Sequence, residues 1–188
     1  MDLITLKEFL CVEILGGSRF SWLKVLRRAR SSRSKNYIFW FRVASYFHAS
    51  EARVFRSLAK RINKRLIGKY SVEIMLGAKI GIGLKIIHPM GIVIWRGAVV
   101  GSNLTIRQNT TIGTTRADNR PIVIGDNVNI GANTCIIGDG ISIGDNVKIG
   151  AMSYVGCDVP DDCTFVTIKE SRIIKNVESS DQARGHEY

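Results

Sequence analysis

Aliphatic residues recur at every sixth position through most of the second half of the chain. A period of six matches neither the 3.6-residue repeat of an α-helix nor the alternation of an ordinary strand. It is typical of a β-helix solenoid, in which three repeats form one triangular coil and coils stack about 4.8 Å apart. The predicted interior positions form three runs and a fourth that is offset by one residue: Ile74, Ile80, Ile86, Ile92; Val100, Ile106, Ile112; Ile124, Ile130, Ile136; and Ile137, Ile143, Ile149, Val155.

Two interruptions of this period predict departures from a smooth wall. The polar stretch 114–121, TTRADNRP, is too hydrophilic for a wall, so we expect a loop extruded from one corner. One residue is added near Asp139 and Gly140, which predicts a local bulge. The solenoid is expected to run from about Val72 to about Thr167.

The first seventy residues show helical patterns instead. Helices are predicted over 2–15, 21–30, 37–48 and 51–67, with Gly68 ending the last one. We therefore divide the chain into a basic α-helical segment at 1–70, a β-helix domain at 71–172 and a C-terminal tail at 173–188.

The net charge of +11 is unevenly distributed. Residues 1–70 hold 16 Lys and Arg against 4 Asp and Glu, whereas residues 71–188 hold 11 against 12. A near-neutral solenoid disfavours nucleic-acid binding, and no recognition module accompanies the basic segment. Basic helices with exposed aromatic residues favour peripheral contact with an anionic membrane, the alternative being the cap of a soluble trimer.

Cysteine usage and hydropathy predict a cytoplasmic protein. The four cysteines show no spacing suited to zinc and need form no disulfides in a chain of 188 residues. No stretch of 18 apolar residues and no signal-like start are found, so we expect neither a spanning helix nor export.

Of the three histidines, His88 is the candidate for chemistry. His48 in the aromatic-rich helix and His186 in the tail are expected to be packing or surface residues. Glu73 lies fifteen residues before His88, close to one coil, so stacking can bring its carboxylate to one imidazole nitrogen and leave the other as a base. A solvated carboxylate at the end of the solenoid is the alternative for Glu73.

The motifs around His88 resemble a known family. The stretches 88–94 (HPMGIVI), 106–113 (IRQNTTIG) and 131–134 (GANT) are similar to the left-handed β-helix acyltransferases of the serine acetyltransferase group, and most similar to their capsule and exopolysaccharide members, such as the colanic acid acetyltransferase. The resemblance covers about residues 60–172. It implies a mainly β fold, a left-handed parallel β-helix with an α-helical N-terminal segment and one extruded loop.

The resemblance also implies site residues and partners. His88 would act as general base on an acceptor hydroxyl, oriented by Glu73, with acetyl-CoA as donor, no metal and no acetyl-enzyme. The donor would lie between subunits of a homotrimer. Candidates for its binding are Gly113, Ala132, Ala151, Lys169 and Arg172, although small residues at corners and solvated cations are the alternative for these positions.

Departures from the family pattern led us to predict a saccharide acceptor. In serine acetyltransferases an Asp precedes the catalytic histidine and binds the ammonium group of the substrate, but here that position is Ile87. Their second histidine corresponds to Pro121, while the adjacent arginine persists as Arg120. Together with Arg107, Arg120 is a candidate for contact with an anionic acceptor or with a CoA phosphate, ordinary surface roles being the alternative for both.

We therefore expect an acetyl-CoA-dependent O-acetyltransferase that modifies a capsular or exopolysaccharide, or its lipid-linked precursor, in the cytoplasm or at the inner face of the membrane. Serine O-acetylation for cysteine biosynthesis is the alternative enzymatic function. A non-catalytic β-helical scaffold that docks through its basic helices is a third hypothesis.

Overall fold

The computed structural model describes residues 2–114, 120–168 and 170. Four helices come first: α1 (Leu3–Glu13), α2 (Trp22–Ala29), α3 (Arg33–His48) and α4 (Arg53–Tyr70). Helix α3 begins earlier than predicted because Ser32 caps it, its hydroxyl accepting a hydrogen bond from the Lys35 amide at 3.1 Å. The prediction that Gly68 ends α4 is wrong, because the helix continues to Tyr70 and closes at Ser71 with φ of 54°.

Fourteen short strands follow within the described residues. They are β1 (Val72–Ile74), β2 (Lys79–Ile80), β3 (Lys85–Ile87), β4 (Ile92–Ile94), β5 (Ala98–Val100), β6 (Thr105–Arg107), β7 (Thr111–Gly113), β8 (Ile122–Ile124), β9 (Asn129–Ile130), β10 (Cys135–Ile137), β11 (Ser142–Ile143), β12 (Lys148–Ile149), β13 (Tyr154–Val155) and β14 (Thr164–Phe165).

All strand pairs are parallel and join each strand to the strand three places later, except β12, which pairs with β14 because only the bridge at Val159 represents sheet B in the last coil. This is the connectivity of a three-sided β-helix. Sheet A contains β1, β4, β7, β10 and β13; sheet B contains β2, β5, β8 and β11; sheet C contains β3, β6, β9, β12 and β14. We name the corners by the sheets that they connect: AB, BC and CA. The predicted fold class is confirmed.

The strand register shows where each coil gains residues. The regular spacing is 18 residues, as between Ile94 and Ile112. The first coil spacing is 20 residues on all three sheets, for example from Ile74 to Ile94. The spacing rises to 24 residues across the predicted loop, from Ile112 to Ile136, and residues 115–119 of that loop lie outside the described residues.

The aliphatic ladder fills the interior as predicted, except at one position. Ile136 is fully buried and is followed in the ladder by Ile143, whereas Ile137 is only half-buried on the outer side of β10. The spacing from Ile124 to Ile143 is 19 residues, which places the predicted extra residue at the AB corner between β10 and β11. The fourth run therefore begins at Ile143.

Asparagine ladders stabilise the corners of the stack. At the BC corner, the amide of Asn103 donates to Asn127 at 3.0 Å, Asn127 to Asn146 at 3.0 Å and Asn146 to Asp162 at 2.9 Å. All four residues adopt left-handed backbone angles, with φ between 56° and 60°. Asparagine and aspartate tolerate this conformation better than other non-glycine residues, which explains their recurrence at this corner.

A buried ion pair joins the helices to the first coil. The guanidinium of Arg42 on α3 bonds the carboxylate of Glu13 at the end of α1, with an N–O distance of 2.6 Å and side-chain exposures of 3% and 0%. Arg42 also donates to the carbonyls of Ile80 and Gly81, at 2.8 and 2.7 Å. Glu13 accepts from the amides of Gly83 and Leu84, at 3.1 and 3.0 Å. One ion pair thus connects α1, α3 and the BC corner.

Among the four described helices we find none with the length and apolar character that a bilayer crossing requires. The helices end at Tyr70 and the first strand begins at Val72. The three-part division of the chain into domains stays a prediction.

Removing one member of the buried ion pair should strongly destabilise the protein. We expect Arg42→Ala to lower the free energy of unfolding by about 3–5 kcal/mol, because it leaves the Glu13 carboxylate buried without its cation. Urea unfolding followed by circular dichroism measures the change. Arg120→Ala is the matched control, because Arg120 meets Asp139 at 3.7 Å with 76% of its side chain exposed. An equal loss in the control would contradict the assignment.

Candidate active site at the first CA corner

Two extra residues enlarge the CA corner that contains His88. Ile87 pairs with Arg107, and the carbonyl of Met90 accepts from the Asn109 amide at 3.0 Å. Three residues, 88–90, therefore occupy a place that the next coil fills with Gln108 alone. This two-residue enlargement accounts for the 20-residue spacing of the first coil, and it pushes His88 out of the wall.

The conformation of His88 is uncommon for its residue type. Its φ is 56°, in the left-handed region, and its side chain is exposed. Non-glycine residues pay about 1–2 kcal/mol for this conformation. Within the described residues His88 makes no recorded hydrogen bond or ion pair. Backbone strain of this kind is often retained at functional sites, and here it holds an imidazole in solvent at a fixed corner.

Glu73 lies on the outer side of β1, the first strand of sheet A. It is the central residue of β1 between two buried residues, so its side chain points away from the interior. It pairs with Val93 of β4, the strand that begins directly after the His88 corner. Both side chains of the predicted dyad thus face outward at the same edge of sheet A. No hydrogen bond between Glu73 and His88 is recorded in the described chain, so their pairing stays a prediction.

Tyr37 of α3 is a neighbour of Glu73 that the sequence analysis missed. Its ring is fully buried and packs edge-on against Tyr70, with 5.5 Å between the ring centroids. Burial is the main cause that raises the pKa of the Tyr37 phenol; a hydrogen bond with the Ile74 backbone acts against it, and the charge of Glu73 raises it further. Nothing in the aromatic run of α3 distinguishes Tyr37 from its aromatic neighbours, so the sequence offered no signal for this contact.

Arg107 and Gln108 lie one coil beyond His88. Arg107, in register with Ile87, is half-buried and donates through Nη1 to Asn129 Oδ1 at 2.5 Å and to the Ile130 carbonyl at 3.1 Å. Gln108 follows, and its side-chain oxygen is buried without a hydrogen-bond partner in the described residues. The structure therefore brings Arg107 to the His88 corner and adds Gln108, which the sequence analysis quoted only as part of a motif.

Two of the predicted donor-binding residues share this corner. The Asn133 amide donates to the Gln108 carbonyl, and the Met152 amide donates to the Ala132 carbonyl. These hydrogen bonds align Gln108, Ala132 and Ala151 at the CA corner, with one of the three residues in each successive coil. Gly113 lies on β7 of the adjoining sheet A, where an added Cβ would meet no atom closer than 3.8 Å. Beyond Gln108 this corner carries only the small side chains of Ala132 and Ala151, and with Gly113 we call them the column of small residues.

The remaining predicted residues do not join this corner. Arg120 lies on the AB corner, where its amide donates to Asp139 Oδ1 at 2.9 Å. His88 and Arg120 of one chain therefore occupy different corners. Lys169 and Arg172 lie outside the described residues. The described part of the chain also contains no group of three His, Cys, Asp or Glu side chains suited to a metal ion.

Comparison with known proteins agrees with this architecture. The family described as the hexapeptide repeat of succinyl-transferase matches residues 121–157 and 140–164. These matches and the β-helix place the protein among hexapeptide-repeat transferases. The serine acetyltransferase of Helicobacter pylori is 36% identical over 131 residues, covering 69% of this chain and 76% of the relative. The crystal structure of Neisseria gonorrhoeae serine acetyltransferase in complex with serine is 30% identical, with a TM-score of 0.70, over 88% of this chain and 66% of that one.

The chain therefore belongs to the serine acetyltransferase family. It spans only part of other relatives, between 27% and 51% of the lengths of two Arabidopsis thaliana serine acetyltransferases and one from Synechococcus elongatus. The expectation that capsule and exopolysaccharide enzymes, such as the colanic acid acetyltransferase, are the most similar members is wrong, because these relatives and solved structures are serine acetyltransferases.

The strain at His88 can be tested by comparing two substitutions. We expect His88→Gly to be more stable than His88→Ala by about 0.5–1 kcal/mol, because glycine adopts the left-handed conformation freely and alanine does not. Thermal and urea unfolding of both variants measure the difference. Lys85, an exposed residue of β3, provides the control. There we expect Lys85→Ala to be more stable than Lys85→Gly, because the strand backbone does not require left-handed angles. The same order at both positions would contradict the strain at His88.

Proposed function

We propose that this protein is an acetyl-CoA-dependent serine O-acetyltransferase. The observation that carries this proposal is an exposed histidine held on an enlarged corner of a β-helix that belongs to the serine acetyltransferase family. The predicted saccharide acceptor, and with it a role in capsule polysaccharide biosynthesis, is wrong: the relatives and structural neighbours support the alternative, serine acetylation.

His88 acts as the general base in this proposal. Its imidazole removes the proton from the serine hydroxyl while the oxygen attacks the carbonyl carbon of the thioester. The C–S bond then breaks, and the thiolate of CoA takes the proton back from the imidazolium. The products are O-acetylserine and CoA, so protons balance without an external acid. Backbone amides would stabilise the oxyanion formed during the attack.

Glu73 would orient the imidazole and stabilise its cation. Glu73 faces outward from β1, and His88 is exposed on the corner that precedes β4, the strand paired with β1. The Tyr37 phenol stays neutral because burial raises its pKa, so it adds no negative charge beside Glu73.

The column of small residues suits an extended donor. From the His88 corner to Ala151 the solenoid rises by three coils, about 14 Å at 4.8 Å per coil. A pantetheine arm could lie along this edge because Ala132, Ala151 and Gly113 carry little side-chain bulk. A homotrimer, in which Arg120 of a neighbouring copy reaches His88, is part of the proposal, as are positions for Lys169 and Arg172 near the CoA phosphates. Cytoplasmic location and peripheral membrane contact stay predictions.

Ile87 bears on how well serine is bound. Its side chain is 37% exposed beside His88 and offers no charge to the ammonium group of an amino acid. The loss of one charge-assisted hydrogen bond is worth about 2 kcal/mol, or about 30-fold in affinity. That amount raises the KM for serine without changing the reaction type, so it does not outweigh the family evidence.

The proposed reaction can be tested directly. Purified protein is incubated with acetyl-CoA and L-serine, free CoA is followed with a thiol reagent, and O-acetylserine is identified by mass spectrometry. We expect serine-dependent release of CoA, and a loss on the order of 10² to 10⁴ in kcat for His88→Ala, the range for removal of a general base.

The matched control for this assay is Lys85→Ala, on strand β3 three residues before His88. It should retain activity, because Lys85 is exposed on β3 and has no role in the proposed reaction. Undiminished acetylation by His88→Ala would refute the role of His88. The absence of serine-dependent CoA release by the wild-type protein would refute the proposed function.

A second substitution tests the acceptor. We expect Ile87→Asp to lower the KM for serine by roughly tenfold or more with little change in kcat, because the new carboxylate can pair with the substrate ammonium. Ile87→Asn, of nearly equal size and without charge, is the control. Steady-state kinetics at several serine concentrations separate KM from kcat. Equal KM values for the Asp and Asn variants would contradict ammonium recognition at this position.

A further inference from the structure

A second polar cleft lies away from His88, between helix α4 and the AB corners of the first two coils. Its volume is about 390 Å³. Lys60, Asn63, Lys64 and Ile67 form one face of α4, at positions i, i+3, i+4 and i+7. The opposite wall contains Met75 and Leu76 after β1 and Arg96 after β4, and His48 at the end of α3 closes one side.

The cleft is lined by cations and by no carboxylate. Lys60, Lys64 and Arg96 are exposed, and none of them has an acidic partner within 4 Å in the described part of the chain. Three positive charges line the same cleft, so their potentials add at its centre. Like charges gathered without counter-charges favour the binding of an anion.

Two buried polar atoms at the same cleft have no partner. His48 Nδ1 and Asn63 Oδ1 are both inaccessible to solvent and make no hydrogen bond in the described chain. Buried polar atoms normally find partners, because an unmade hydrogen bond costs about 1–3 kcal/mol. His48 and Asn63 both line the cleft, so two unpartnered polar groups lie beside its three cations.

From this arrangement we infer that the cleft of His48, Lys60, Asn63, Lys64 and Arg96 is a binding site for a phosphate group. Its charged donors are the ammonium groups of Lys60 and Lys64 and the guanidinium of Arg96, a set that suits a tetrahedral oxyanion with several acceptor oxygens. The apolar side chains of Ile67, Met75 and Leu76 leave room beside the phosphate for the rest of a ligand. The site lies on the AB side of the coils, whereas His88 lies at the CA corner, so it is separate from the proposed active site.

The phosphate can belong to a free small molecule or to the headgroup of an anionic lipid. Isothermal titration calorimetry with pyrophosphate and inorganic phosphate, in buffer at physiological salt, tests the first source. Co-sedimentation with phosphatidylglycerol vesicles, compared with phosphatidylcholine vesicles, tests the second. The full chain is used in both arms.

The decisive comparison uses two double variants of equal charge. Lys64→Ala with Arg96→Ala removes two cations from the cleft, and Arg65→Ala with Lys69→Ala removes two exposed cations elsewhere on α4. We expect the cleft variant to weaken binding of pyrophosphate or of phosphatidylglycerol vesicles by about tenfold or more, and the control to leave it within about twofold. The arm that shows this difference identifies the source of the phosphate.

Two results would overturn the inference. One is the absence of binding by the wild-type protein in both arms up to millimolar anion or lipid. The other is an equal loss in the cleft and control variants, which would indicate general attraction to the basic helices. Thermal unfolding of both variants confirms that the comparison is made on folded protein. Because neither readout involves acetyl transfer, a failure here is distinguishable from a failure of the proposed enzymatic function.

Discussion

The parallel hydrogen bonds between coils are the constraint on which the rest of the structure depends. Each strand is fixed to the strand one coil away, as Glu73 is to Val93, so the walls accept no insertion. Every residue beyond the regular 18 must therefore leave at a corner. The chain does this three times: two residues at His88, six in the stretch 114–121 and one near Gly140. Because the coils stack in register, extra residues form protrusions at the corners. The first protrusion carries the imidazole of His88.

The helical segment extends this rigidity to the open end of the stack. Strand β1 has a paired neighbour on one side only, so its other edge needs cover. The Arg42–Glu13 pair holds α1 and α3 to the first coil through four hydrogen bonds to its backbone. Because Glu73 lies on that edge strand and beside Tyr37 of α3, the helices also determine the surroundings of the proposed orienting carboxylate. Their role is therefore tied to the proposed chemistry as well as to stability.

The six-residue period of the sequence predicted the β-helix and its interior. It did not predict the features that depend on contacts between residues distant in the chain. Six-residue spacing located the interior from Ile74 to Val155, because every periodic aliphatic must be buried in a stacked coil. The period wrongly placed Ile137 in the interior. The extra residue between Ile136 and Ile143 can be counted before or after Ile137, so the spacing alone does not tell which of Ile136 and Ile137 is buried. Gly68 did not end α4, because packing against α3 outweighs its low helix propensity. Glu73 and His88 could be chosen from their spacing, whereas Tyr37, Gln108 and the cleft around His48 depend on contacts that no local pattern encodes.

The acceptor shows how a single substitution should be weighed. Ile87 removes a charge expected beside serine, and that loss of about 2 kcal/mol is a statement about affinity. A different acceptor class would require new groups that recognise it, and the outward residues nearest His88 include the cation of Arg107, which is already bonded to Asn129 and Ile130. The carboxylate of an amino acid is an anion that a partly engaged guanidinium can still bind through its free N–H groups. In the proposed reaction, a serine without an ammonium partner at Ile87 would therefore be held mainly by its carboxylate.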